Sequence, residues 1–351
     1  MRKTVFIGLF SIFFQLYAHA RESKFLPAHI LELSQTYGHH ILVAEKSTHN
    51  LHLFSNRDGE PKLLKTFEVA TGKNAGNKIF QGDHRTPEGV YQFTQFLNHQ
   101  DLIKRHGVEK GSIYGVGAFV MNYPNPIDIL NGKTGGGIWL HSTNDEPRID
   151  KGLDSRGCIV STNADLIELS QYLELHKSHI IVVQDLKFLT RDSWLLKREK
   201  LKTTLDTWLE SWKKLETDKY LSFYDKDFFY DPVRGDYEAF KEHKTNIFKY
   251  IQKPEIEMTD LSLYDSGNYA VATFVQSYKS NALEDQGKKT LYLKKNDYYD
   301  WKIVAEVWSK SGVPNNTIDN TPVAFTPKLR FFETRDPAQI LPIKPRQSER
   351  Q

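Results

Sequence analysis

One cysteine occurs in the 351 residues, Cys158, in the run Ser155-Arg156-Gly157-Cys158-Ile159-Val160. Upstream of it, His141 closes the segment Trp139-Leu140-His141 and is followed by Ser142. A thiol attacks acyl groups as thiolate, and at an ordinary pKa of about 8.5 only a few per cent is ionised at neutral pH. A histidine within hydrogen-bond reach can take the proton and return it to a leaving amine. Gly157 adds a position without Cβ, where substrate and backbone can approach closely, and acyl transfer needs backbone N–H groups aimed at the developing oxyanion. The competing reading of a lone cysteine is a small buried hydrophobe. Ser155 is a weaker nucleophile than a neighbouring thiolate. Arg156 can pair with a carboxylate through two parallel hydrogen bonds, or stand as a solvated surface charge.

These residues need a scaffold that folds the stretch between His141 and Cys158 back on itself. Short segments rich in Val, Ile, Phe and Tyr predict strands at His40–Glu45, Asn50–Phe54, Lys65–Ala70, Gly89–Thr94, Val116–Met121, Gly137–His141 and His179–Gln184, most of them separated by Gly, Pro, Asn or Asp. Leu166, Leu169, Ser170 and Leu173 recur at helical spacing after a candidate cap, Asn163. His141 then ends a strand and Cys158 precedes a helix. From about Leu186 the pattern changes. Apolar residues from Trp194 to Phe223 follow a helical period with a break near Thr217, and strands are expected at Glu255–Tyr264, Tyr269–Tyr278, Lys288–Lys295 and Trp301–Val307. Ser266-Gly267-Asn268 and Asn296-Asp297 suit hairpin turns. Helices followed by an antiparallel sheet predict a small α+β domain. Its aromatics are core by spacing, with Tyr298, Tyr299, Trp301 and Trp308 as alternative lining of a ligand cavity.

The N-terminus has the three parts of a secretory signal: Arg2 and Lys3, an apolar run from Val5 to Leu16, and Ala18-His19-Ala20. That run falls short of the roughly 20 residues that cross a bilayer. A cleaved signal predicts a periplasmic protein, and an exported chain with one cysteine has no internal disulfide. The 47 Lys and Arg nearly balance 44 Asp and Glu, with no basic cluster, which gives no electrostatic case for nucleic acid. No later segment is long and apolar enough for a stable membrane span. The expected organisation is a signal at 1–20, an N-terminal segment at 21–38, a β-rich domain at 39–187, an α+β domain with its linker helix at 188–312, and a Pro-rich tail at 313–351.

With His141 and Ser155-Arg156-Gly157-Cys158 in place, Thr71-Gly72-Lys73 and Thr86-Pro87-Glu88-Gly89-Val90-Tyr91 complete an ordered set of motifs. The set resembles the L,D-transpeptidase (YkuD-type) catalytic domain over residues 39 to about 185. The resemblance implies a β-sandwich with short helices, a nucleophile at Cys158, a proton acceptor and donor at His141, and a Gly157 carbonyl that orients His141. It also implies a Gly157–Cys158 backbone contribution to the oxyanion hole and a pocket lined by Arg156 and Ser155. Ser142, Tyr123 and Trp139 are further candidates for the substrate-binding wall. Ser142, Arg156 and Val160-Ser161 depart from the family's usual Gly, His and Arg-Leu, and these departures fall on the pocket. With a signal and a nuclear-transport-factor-2-like second domain, the arrangement looks like the cell-shape L,D-carboxypeptidases of curved and helical bacteria. That likeness implies attack on the bond between the L-centre of meso-diaminopimelate and terminal D-alanine in peptidoglycan stem peptides. Water or an amine then resolves the thioester, giving carboxypeptidase or transpeptidase, and a non-catalytic wall-binding protein is the reading from another class. The second domain is the candidate contact for a cell-wall or envelope protein.

No cofactor or metal is expected. Asn131-Gly132-Lys133-Thr134 ends like a phosphate-binding loop, but Ile127 occupies the first glycine position. His39, His40, His49 and His52 lack further ligands at recognisable spacing. His84 and Arg85 precede Thr86 and are candidates to reach a substrate.

Overall fold

The computed structural model describes residues 25–310 and 325–341, so the expected signal at 1–20 lies outside the described residues. An eight-stranded sheet runs in the order Ile159–Val160, Trp139–His141, Gly117–Met121, Gly89–Asn98, His179–Val183, His40–Glu45, Asn50–Arg57, Glu60–Glu68. Gly89–Asn98 belongs to two leaves. Its first half pairs with His179–Val183 and its second half with Gly117–Met121, and the register shifts between Phe93 and Gln95. Side chains of both leaves meet in one core, where Leu42, Ala44, Leu51 and Leu53 pack with Phe119, Leu140 and Ile159. The result is the expected sandwich, folded about a single long strand.

Alternation along these strands explains why some are buried on both faces. Leu42 and Ala44 face the sandwich core, while Ile41 and Val43 face a second core with Tyr264, Tyr269, Val271 and Tyr292 of the other domain. The continuous apolar runs His40–Glu45 and His179–Val183 are therefore the strands between domains. The second domain is a seven-stranded sheet ordered Gly235–Asp236, Tyr230–Asp231, Trp301–Ser309, Glu284–Lys295, Ala270–Lys279, Glu255–Asp265, Ile30–Glu32. Its other face packs on the helices Arg191–Lys213, Thr217–Leu221 and Tyr237–Tyr250.

Several elements depart from expectation. The N-terminal segment completes the second sheet, with Ile30 paired to Tyr264, and the Trp194 indole donates to the Ile30 carbonyl at 2.9 Å. The strand expected at Lys65–Ala70 is Glu60–Glu68, because the left-handed Asp58-Gly59 turn closes a hairpin with Asn50–Arg57. A helix at His99–Gly111 was not anticipated. Asn98 caps it in a reciprocal box with Asp101, but it buries only His99, Leu102 and Gly111, too few to give a period. Thr162, rather than Asn163, caps the helix Asn163–Ser170. In the second domain Trp301 is core, Trp308 borders a cavity, and Tyr298 and Tyr299 are exposed on a turn. Residues of the tail lie along the first domain, where Phe331 and Phe332 pack on Phe96 at 5.0 and 5.1 Å. Among the described residues no helix is long and apolar enough to cross a membrane.

The second domain reaches under the first through Tyr269. Its hydroxyl accepts from the Val90 N–H and the Asn125 side-chain amide, each at 2.8 Å. Both donors are buried beside the Thr86-Pro87-Glu88-Gly89 motif. Tyr269→Phe removes the acceptor of both, and although the Asn125 amide keeps its bond to the Val90 carbonyl at 3.1 Å, the loss costs about 1–3 kcal/mol for an unsatisfied buried group. The expected result is a lower midpoint of thermal unfolding, and an unchanged midpoint would show that the junction does not depend on this hydroxyl.

Candidate active site

Trp139–His141 pairs in parallel with Ile159–Val160, with Leu140 opposite Ile159 and His141 opposite Val160. Leu140 and Ile159 sink into the sandwich core. The period of two then turns Trp139, His141 and the preceding Cys158 to the other face, where Trp139 and Cys158 share a small cluster with Leu97, Leu102 and Ala118. His141 and Cys158 thus lie diagonally across this parallel pairing, on the same face of the sheet edge. The loop between the two residues returns the chain to the same sheet edge, a return that their spacing in the sequence allows.

The loop before Cys158 is held from several sides. Leu153–Ser155 pairs with Thr71–Gly72, and the Lys73 N–H donates to the Ser155 carbonyl at 2.8 Å. The Gly72 N–H donates to Thr86 Oγ1 at 2.8 Å, and a Cβ at Gly72 would strike the His84 carbonyl and Thr86 amide. Buried Lys46 ties the same motifs together, donating to the Thr86 carbonyl at 3.2 Å and Glu88 Oε1 at 2.8 Å. The two sequence motifs upstream of the histidine therefore form the floor under the cysteine turn.

Within that turn, Ser155 Oγ donates to the Cys158 carbonyl at 2.6 Å and accepts from the Gly157 N–H at 3.0 Å. Ser155 is buried and its hydroxyl is engaged, so it shapes the turn and is not free to meet a substrate. The same bond occupies the Gly157 N–H, which leaves the Cys158 N–H as the turn's candidate oxyanion donor. His141 Nδ1 is 2.6 Å from the Ser142 carbonyl. That carbonyl, not the Gly157 carbonyl, orients the ring; Nδ1 carries the proton and Nε2 is left basic. Gly157 has φ +122°, and a Cβ there would lie 2.7 Å from the Arg85 carbonyl oxygen.

The other pocket candidates are mostly walls. Ser142 is fully buried; its Oγ accepts from the Val116 N–H at 2.9 Å and donates to the Tyr114 carbonyl at 3.3 Å. Tyr123 is buried and donates to the Thr134 carbonyl at 3.1 Å. Trp139 is buried too, with its ring 5.0 Å from Tyr114. Arg156 alone of the five is exposed. His84 and Arg85 are half-buried, and the Arg85 backbone borders Gly157.

Two neighbours escaped sequence reasoning. Tyr114 stands edge-to-face on the His141 ring at 4.9 Å and 77°. Arg148, in the loop between the pair, bonds Asp154 through Nε and acts electrostatically on both His141 and Cys158. Neither belongs to a motif, and no spacing rule links Tyr114 to a histidine in another strand.

Cys158 is half-buried, and its thiol lies 3.5 Å from the Gly137 carbonyl. Burial pushes that thiol up to about 11, against the Trp139 backbone amide and the Arg148, Arg156 and Lys78 charges that pull it down. Burial likewise pushes His141 down to about 4, with the Ser142 carbonyl opposing and Arg148 adding to the fall. At neutral pH the resting pair is thiol and neutral imidazole, and Nε2 is available to take the sulfur proton as attack begins. A thiolate fraction of about one in ten thousand at pH 7 predicts iodoacetamide labelling of Cys158 roughly two orders slower than a free cysteine. Labelling should rise about tenfold per pH unit to near pH 10. Fast labelling that is flat from pH 5 to 9 would instead show a preformed ion pair.

A cavity of about 640 Å³ opens in the second domain between the sheet and the helix Tyr237–Tyr250. Lys244 and Lys289 lie 4.0 and 3.6 Å from Glu306, with Arg234, His243 and Trp308 also on its lining. Burial pushes Lys244 down to about 8, with Glu306 opposing. Among the described residues no group of three His, Cys, Asp or Glu is arranged to hold a metal ion.

Residues 39–183 match the L,D-transpeptidase catalytic domain, and residues 200–307 match the Cds6 C-terminal NTF2-like domain. The chain is similar to Bd1075 of Bdellovibrio bacteriovorus, with 27% identity and a TM-score of 0.70, over 82% of this chain and 99% of that one. It is also similar to the helical cell shape determining protein Pgp2 of Campylobacter jejuni, with 27% identity and a TM-score of 0.61, over 79% of this chain and 94% of that one. No curated protein sequence matches.

Proposed function

Given that this chain carries an L,D-transpeptidase catalytic domain ahead of a Cds6-type NTF2-like domain, we propose that it is a peptidoglycan-modifying cysteine enzyme that acts as an L,D-carboxypeptidase. The carrying observation is the placement of His141 and Cys158 on one face of adjacent strands, with Nε2 free and an exposed Arg156 beside the thiol.

In the proposed reaction Cys158 Sγ attacks the carbonyl at the L-centre of diaminopimelate in a tetrapeptide stem, and its proton passes to His141 Nε2. The Cys158 N–H faces the developing oxyanion. Collapse of the tetrahedral intermediate breaks the C–N bond, and His141 returns the proton to the amine of departing D-alanine. A thioester remains. Water attacks it, His141 takes a proton from that water, and the sulfur leaves with the proton restored, releasing a tripeptide stem. Arg156 pairs with the terminal carboxylate, which favours a stem end over an internal bond.

The protein acts in the periplasm, following export by the segment 1–20, and the trimmed stems alter cell form. Pgp2 is a helical cell shape determining protein, and the shared two-domain arrangement supports the same class of role here. The second domain's cavity offers two lysines and Glu306 to a charged group of the wall or an envelope partner. The test supplies a defined tetrapeptide muropeptide together with a second stem as amine acceptor and reads products by mass. Tripeptide and free alanine support the carboxypeptidase. A joined dimer reassigns the enzyme as a transpeptidase, and binding without turnover reassigns the chain as a wall-binding protein.

A further inference from the structure

Tyr114 ends the short turn Ser112–Tyr114, which follows the helix His99–Gly111. The backbone there is fixed. The Tyr114 carbonyl accepts from buried Ser142 Oγ at 3.3 Å, and the next carbonyl, of Gly115, lies 2.8 Å from His99 Nδ1. The ring is clamped between His141 at 4.9 Å and Trp139 at 5.0 Å. Its hydroxyl, by contrast, has no hydrogen-bond partner among the described residues, although the ring is half-buried. Tyr123 and Tyr91 donate instead to carbonyls, of Thr134 at 3.1 Å and Glu88 at 3.3 Å. Tyr114 packs with Cys158 against the cluster of Leu97, Leu102, Ala118 and Trp139, and burial raises its phenol's pKa, with the Cys158 charge adding to the rise and the Arg156 charge opposing it.

We propose that Tyr114 is a specificity-determining residue: its hydroxyl and the Arg156 guanidinium together receive the terminal carboxylate of the leaving residue. The proposal rests on the acyl-transfer reading of Cys158. The leaving residue's carboxylate lies one residue beyond the carbonyl that the sulfur attacks; Tyr114 packs in the same cluster as Cys158, and exposed Arg156 stands two residues before that cysteine. Arg156 supplies charge, but from an exposed and flexible stem. A protonated phenol on a clamped ring supplies a donor in a fixed direction, and an uncharged amide offers the pair neither a second acceptor oxygen nor a charge, as a carboxylate does. The pair therefore selects a free chain end.

Tyr114→Phe keeps the ring against His141 and removes only the donor. Its kcat and KM are measured on a tetrapeptide stem ending in free D-alanine and on the same stem ending in D-alaninamide, with thermal unfolding as a check on the fold. For the free acid, KM is expected to rise about tenfold with kcat within about twofold, since a hydrogen bond to a charged group is lost. The amide's kcat/KM is expected to fall by no more than about twofold, since a neutral hydrogen bond is weaker, so the acid-over-amide preference shrinks several-fold. Arg156→Gln shrinks it further. An equal fall in kcat on both substrates would overturn the proposal and place the hydroxyl at the reacting carbonyl or behind His141. Unchanged constants on both would overturn it as well. If the unaltered protein releases neither alanine nor alaninamide, the acyl-transfer reading fails and this assignment fails with it.

Discussion

Cys158→Ala yields a folded protein that releases no measurable alanine from tetrapeptide stems. The substitution removes one sulfur from a half-buried site in the small cluster of Leu97, Leu102, Ala118 and Trp139. A cavity of that size costs on the order of 1 kcal/mol, so thermal unfolding should hardly shift. Activity should fall by at least about ten-thousand-fold, because the covalent route disappears and nothing at that position can replace it. His141→Gln keeps the nucleophile and removes the base, and a loss of about 10²–10⁴-fold is expected. Combining the two should cost little beyond Cys158→Ala alone, since the residues act as a unit. Stopped assays on purified variants, with the unfolding midpoint measured in parallel, check each value. Alanine release by Cys158→Ala at the unaltered rate would remove Cys158 from the reaction.

Gly157→Ala should produce a further large loss while leaving the thiol in place. Gly157 holds φ +122°, a conformation that side chains oppose, and an added Cβ would stand 2.7 Å from the Arg85 carbonyl oxygen. That oxygen belongs to backbone beside the Thr86-Pro87 motif and has little freedom to retreat. The turn must shift instead, breaking the bond of the Gly157 N–H to Ser155 Oγ and moving the Cys158 N–H away from the oxyanion position. A displacement near 1 Å at a reacting centre is worth about 100-fold in rate. The expected result is kcat/KM down about 100-fold, with Cys158 still open to alkylation at high pH. An unimpaired Gly157→Ala enzyme would show that the turn's geometry is not what aligns the sulfur.

These two residues were legible because their chemistry is rare in the chain and their spacing is short. One cysteine, a glycine before it and a histidine at the end of an apolar segment narrow the choice before any fold is known. The surrounding groups were less legible, for different reasons. Ser155 and Ser142 occupy motif positions that suggest a pocket, yet burial turns their hydroxyls to backbone duty. Tyr114 and Arg148 come from a turn and a loop with no periodic signal, and only tertiary packing brings them to the site.

The fold shows the same division. The sandwich strands and the hairpins of the second sheet follow from alternation and turn residues, which are local. Placing Ile30–Glu32 beside Glu255–Asp265 needs partners from opposite ends of the chain, and three residues carry too little pattern to announce it. In the helix Tyr237–Tyr250, the residues Tyr237, Phe240 and Phe248 mark a buried face, but Lys244 sits on that face and interrupts the apolar stripe. The interruption is itself informative, since Lys244 turns its charge to Glu306 on the cavity wall.

In the proposed reaction a stem peptide is passed to Cys158 before water releases it. The most direct test of that transfer is the mass of the protein quenched in acid during the first turnover of a defined disaccharide-tetrapeptide, with the modified peptide then located by fragmentation. Free D-alanine is expected together with a tripeptide acyl group on Cys158 that later appears as tripeptide product. Alanine release with the acyl group on another residue, or continued release by the Cys158→Ala protein, would contradict it.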